Sequence, residues 1–124
     1  MHRSLLLSLC TTLTLFATQA PQTFNKSFGG DEDDVASSVI KTDDGYLIAG
    51  KTKSFTSHRD YDAYLIKLDK NGDKVWSKTY GGEEDAGYDI VANDDGYLIV
   101  GTKQPNLTRY NDVWVLKVDL KGKF

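Results

Sequence analysis

Two stretches of the chain run apolar almost without interruption, Tyr46-Leu47-Ile48-Ala49 and Ala63-Tyr64-Leu65-Ile66-Lys67-Leu68. A strand with one face in water alternates apolar and polar residues; a strand covered on both faces does not. These runs therefore predict strands packed between other layers. The segments on either side are more polar. In Val35–Lys41, Ala36, Ser38 and Ile40 alternate with Val35, Ser37 and Val39; in Lys74–Tyr80, Val75, Ser77 and Thr79 alternate with Trp76, Lys78 and Tyr80. Both predict strands nearer a rim. Asp43-Asp44-Gly45 and Asp69-Lys70-Asn71-Gly72 supply turn chemistry between them, and Lys51–Asp60 is a longer polar loop. No segment has helical periodicity or helix capping. The expected class is all-β.

The same pattern recurs. Asp43-Asp44-Gly45-Tyr46-Leu47-Ile48-Ala49-Gly50 returns 51 residues later as Asp94-Asp95-Gly96-Tyr97-Leu98-Ile99-Val100-Gly101. Phe28-Gly29-Gly30 returns after 52 residues as Tyr80-Gly81-Gly82, and Asp62–Asp69 after 50 as Asp112–Asp119, with Gly72 matched by Gly122. The repeats span about 23–73 and 74–124, and Thr23–Phe28 stands where the second repeat has its Lys74–Tyr80 strand. Four antiparallel strands per unit of about 50 residues, stacked face to face, is the plan of a β-propeller blade. Two β-propeller-type blades, a partial propeller, are expected over residues 21–124.

The first twenty residues, MHRSLLLSLCTTLTLFATQA, have a short basic start in His2 and Arg3, an apolar stretch from Leu5 to Ala17 and a small residue at Ala20. This is the pattern of a secretory signal peptide, residues 1–20. The stretch is shorter than the roughly 20 apolar residues a bilayer span needs, so no membrane span is expected once it is removed. The expected location is secreted, periplasmic or cell-surface. Removal would take away Cys10, the one cysteine, leaving a domain held by its core and not by disulfides. The whole chain is 40% hydrophobic with net charge −3, which excludes disorder and gives no electrostatic footprint for nucleic acid.

The motifs Trp76-Ser77-Lys78-Thr79-Tyr80-Gly81-Gly82, Asp95-Gly96-Tyr97-Leu98-Ile99-Val100-Gly101 and Asp112 through Gly122 resemble a family of repeats in secreted or surface-attached bacterial and archaeal proteins. The unit of that family is similar to W-x-K-T-[FY]-G-G, an acidic cluster, D-G-G-Y-[IL]-[IL]-x-G and D-x-[YW]-[LV]-[IL]-K-[LV]-D-x-x-G. This chain has one glycine, not two, before Tyr46 and Tyr97, and Phe24 where the later repeat has Trp76. The resemblance implies a propeller-type fold; fold alone assigns no activity.

Propellers close with four to eight blades, and two repeats fall short of that. Three arrangements meet the shortfall: a fragment of a longer gene, self-association in which the opening strand of one copy completes the last blade of the next, or a self-contained two-sheet sandwich.

Candidate chemistry is sparse. Residues 21–124 hold one histidine, His58, and no cysteine, which leaves no zinc set and no base-activated nucleophile. Two acidic loops, with Asp31, Asp33 and Asp34 in one and Glu83, Glu84 and Asp85 in the other, offer oxygen donors of the kind calcium takes; the plainer reading is solvated corners. Paired carboxylates would also suit a glycosidase, with Glu83 or Glu84 as the residue to substitute, but the Gly-rich corners offer no desolvated setting. No catalytic residue and no cofactor are expected. Asn25-Lys26-Ser27 and Asn106-Leu107-Thr108 are glycosylation sequons. Arg59 and Tyr61 in one loop, and Arg109 and Tyr110 in its counterpart, are residue types that anchor sugars and proteins. The expected function is a non-enzymatic scaffold or adhesion-type binding module with a glycan or surface-protein ligand. The alternatives are an accessory module of a secreted carbohydrate-active enzyme and a truncated product with no function of its own.

Overall fold

In the computed structural model, residues 20, 22–82, 84–105 and 109–124 are described. Residues 1–19, on which most of the expected signal peptide falls, Pro21, Glu83 and the Asn106-Leu107-Thr108 sequon lie outside the described residues. Seven strands follow in order: β1 (Asp34–Thr42), β2 (Gly45–Thr52), β3 (Asp62–Asp69), β4 (Lys74–Tyr80), β5 (Asp85–Asn93), β6 (Gly96–Lys103) and β7 (Asp112–Asp119). They form two antiparallel sheets, β1-β2-β3-β4 and β5-β6-β7. The protein is all-β, with no helix among the described residues.

The sheets share one register. Asp34 pairs with Thr52 in the first and Asp85 with Lys103 in the second, and the first strand of each sheet slips register once against the second, between Ala36 and Ser38 and between Gly87 and Asp89. β2 runs three residues past the apolar run that marks it, because its ladder with β1 and β3 continues to Thr52; the apolar run marks burial, not the length of the ladder.

Thr23–Phe28, expected as a strand, is not one. β4 already pairs with β3, so this segment has no sheet edge to join there and lies on a face instead. Its Phe24 ring meets Tyr46 at 6.0 Å, and Phe28 packs on the cluster of Tyr64, Ile66 and Leu68. Lys26 pairs with Asp73.

The main core lies between the sheets. Leu47, Ala49, Ala63 and Leu65 of the first sheet meet Ile90, Tyr97, Ile99, Leu116 and Val118 of the second, with Tyr80 among them. Removing this apolar area from water is the dominant gain on folding. β3 is buried along seven of its eight residues, as its unbroken apolar pattern predicts. β7 exposes alternate residues, because only one face of its sheet is covered. Lys67 is buried in the first sheet but carries its ammonium to the end of the sheet, where it donates to Asp44 at 2.7 Å. Lys117 makes the same pairing with Asp95 at 2.8 Å.

Both Asp-x-x-Gly turns close in the same way. Gly72 takes a φ of 78° and Gly122 a φ of 77°, a left-handed turn that glycine adopts without steric cost. One oxygen of Asp69 accepts the amides of Asn71 and Asp73 at 2.8 and 3.0 Å, and Asp119 does the same for Lys121 and Lys123 at 2.8 and 2.9 Å. These carboxylates serve the backbone of the turn.

Candidate functional site

Antiparallel pairing gathers the acidic corners and the long loops at one end of the molecule. The start of β1 lies beside the end of β2, and the end of β2 beside the start of β3, through Asp34, Thr52 and Asp62. The second sheet repeats this through Asp85, Lys103 and Asp112. The Asp85 amide donates to the Tyr61 carbonyl at 2.6 Å, so the two loop ends are joined.

The corner before β1 is built on Asp34. Its carboxylate accepts the Thr52 hydroxyl, the Ser54 hydroxyl at 2.7 Å and the Gly30 amide at 3.0 Å. Burial pushes this carboxyl up, but the hydroxyl and amide donors outweigh it and hold it below the usual carboxylate range. In the second corner the Gly82 amide donates to Asp85 at 3.0 Å. Asp34 and Asp85 thus fasten Gly-rich corners to the sheet. Asp31 and Asp33 stay exposed beside Asp34, and Glu84 is exposed beside Asp85. Among the described residues no three acidic, histidine or cysteine side chains converge as a metal ion would require.

Asp62, buried at the start of β3, behaves in the opposite way. Burial raises its pKa first, the charges of Asp85 and Asp60 add to this, and His58 opposes them. Nothing in the sequence marked this carboxylate, because its neighbour Asp85 is brought to it by the packing of one sheet on the other.

These two groups predict opposite responses to pH. Asp34 titrates lower in the folded than in the unfolded chain. Its contribution is present above an unfolded value of about 3.8 and is lost as pH falls through the folded value. Asp62 titrates higher when folded, so its ionised form costs stability at neutral pH, and that cost disappears as pH falls through its folded value toward 3.8. Thermal melts should show Asp34→Asn lowering Tm at pH 7 and Asp62→Asn raising it, with both differences shrinking at pH 3. The same sign for both variants at pH 7 would contradict these environments.

The aromatic and cationic residues sit on this scaffold. Tyr61 is half-buried, with Lys51 and Lys53 ammonium groups 4.1 and 4.5 Å from its ring centre. Its ring is already engaged by cations. Arg59 is exposed beside a shallow polar depression lined by Glu32, Lys53, Ser54, Thr56 and His58. Arg109 is exposed, and Tyr110 is 80% exposed. The four residues named from sequence therefore share one end of the molecule in two loops, Arg59 and Tyr61 on the first sheet and Arg109 and Tyr110 on the second. Lys51 and Lys53 were missed by sequence reading; their placement two residues apart near the end of an apolar strand, ahead of an aromatic in the loop, was the available signal.

Among the described residues, no helix is long and apolar enough to cross a membrane. Compared with known proteins, the chain matches no protein-family model and no curated protein.

Proposed function

We propose that the protein is a secreted or surface-located, non-enzymatic β-propeller-type repeat module that binds a glycan or surface protein through its loop end. The observation that carries this reading is the exposed Tyr110, held with Arg109 and Arg59 at one end of seven hydrogen-bonded strands. Loops on a rigid scaffold are where binding residues concentrate. Exposed aromatic rings and guanidinium groups bind sugars and protein surfaces through stacking, cation–π contact and forked hydrogen bonds. The shared register of the two sheets and the 50–52-residue recurrence support the blade-type reading of the scaffold.

The test is a screen of the purified protein against a glycan array and a panel of cell-surface proteins. A specific hit is expected, weakened by about tenfold or more, or about 1.4 kcal/mol, in Tyr110→Ala, with Tm unchanged because the side chain is exposed. No hit on either panel, or a hit indifferent to Tyr110 and to Arg59→Ala, would overturn the reading.

A further inference from the structure

The second sheet turns an apolar face away from the first. Val100, Val113 and Val115 on that face are 40%, 85% and 56% exposed. The residues 51 or 50 positions earlier, Ala49, Ala63 and Leu65, are fully buried between the sheets. The surface that buries them consists of Tyr97, Ile99, Leu116 and Val118, bordered by Trp76 and Tyr80 of β4. Trp76 and Tyr80 also stand over Gly122, and the Tyr80 hydroxyl donates to the Gly122 carbonyl.

A copy of that receiving surface lies on the far face of the first sheet. Tyr46, Ile48, Ile66 and Leu68 occupy the positions of Tyr97, Ile99, Leu116 and Val118. Phe24 and Phe28, 52 residues before Trp76 and Tyr80, border it, and Phe24 stands over Gly72 as Trp76 stands over Gly122. Between them is a largely apolar groove of about 270 Å³ whose lining includes Phe24, Phe28, Ile48, Tyr64, Ile66 and Leu68, with Lys26 and Asp34 also in its wall. One molecule thus carries both halves of an interface whose assembled form is buried at its own centre.

We infer that a second copy of the chain seats the outer face of its β5-β6-β7 sheet in this groove, head to tail, and pairs its β7 with Thr23–Phe28 as β3 pairs with β4. Two segments gain a ladder partner in that contact. The second sheet has three strands, with β7 at its edge. Thr23–Phe28 joins no ladder, although its counterpart Trp76–Tyr80 lies in β4. The internal register sets the pairing: Leu65 faces Lys78 across β3 and β4, so Val115 of one copy faces Lys26 of the next. Charge does not oppose the contact. Lys117, on the face to be covered, already gives its ammonium to Asp95, as the buried Lys67 does to Asp44. The contact is heterologous, so copies close into a ring or continue as a filament according to the rotation between them. It stands apart from ligand binding at the loop end.

Sedimentation of the purified protein over a rising concentration series should show mass growing in whole multiples of the chain. Val115→Asp should hold the protein monomeric at every concentration, and at high dilution, where the unsubstituted chain is also monomeric, the two should melt within a few degrees of each other. In a Cys10→Ser background, oxidising a mixture of Lys26→Cys and Val115→Cys chains should give the mixed disulfide in excess over either symmetric one. A monomer across the series, a symmetric Val115→Cys dimer as the main product, or a monomer whose face is taken only by a different protein would each overturn the inference.

Discussion

Gly50→Ala is expected to lower stability by about 2–4 kcal/mol, or roughly 10–20 °C in Tm for a domain of this size. The register of β1 slips between Ala36 and Ser38, next to Gly50. A Cβ on Gly50 would stand 1.9 Å from the Val35 carbonyl oxygen and 2.9 Å from the Ala36 Cα. Both are backbone atoms inside a ladder, so no rotamer change relieves the overlap and the strands must part. A Cβ added to Gly101 would stand 1.8 Å from the Ala86 carbonyl oxygen at the corresponding slip of β5, and Gly101→Ala should cost a similar amount. Gly82, with nothing within 4 Å of its added Cβ, is the control; Gly82→Ala should stay within about 0.5 kcal/mol. A loss of this size is a large fraction of the 5–15 kcal/mol that holds a typical domain folded. Equal melts for Gly50→Ala and Gly82→Ala would show that the strands do not approach this closely.

Leu65→Ala and Val115→Ala form the second contrast. The residues occupy matching places in their repeats. Leu65 is 1% exposed in the core between the sheets, and truncating it removes buried methyl groups and leaves a cavity, at about 2–5 kcal/mol. Val115, with more than half its surface in water, loses little burial, and its truncation should cost no more than about 1 kcal/mol. Denaturant melts at high dilution check this, since dilution keeps copies apart. Equal costs would mean that the outer face of the second sheet is covered within one molecule.

Much of the architecture was legible because it rests on local chemistry. β4 covers the predicted Lys74–Tyr80, since the polar rim residues and the turn before them bound it on both sides. The hairpin at Asp69–Gly72 was legible for the same reason: a carboxylate that accepts its own downstream amides, followed by a glycine able to turn left-handed, is a local device. The candidate site was legible in part. Arg59, Tyr61, Arg109 and Tyr110 could be named as loop residues, and antiparallel pairing puts both loops at one end. That Lys51 and Lys53 hold the Tyr61 ring, that Asp34 fastens its corner and that Asp62 lies near Asp85 depend on side chains meeting across loops and sheets. No local pattern carries that information.

Most strand positions, the turns, the all-β class and the recurrence every 50–52 residues were determined by the order of residues alone, because period-two alternation, unbroken apolar runs and turn chemistry act within a few neighbours. The tertiary structure decided which faces are dry and which segments pair. Ala49 and Val100 occupy the same place in the same motif, yet one is fully buried and the other is 40% exposed. Trp76–Tyr80 lies in a strand while Thr23–Phe28 lies unpaired on a sheet face. Burial and ladder hydrogen bonds both require a neighbour, and which neighbour is present is settled by how the two sheets stack.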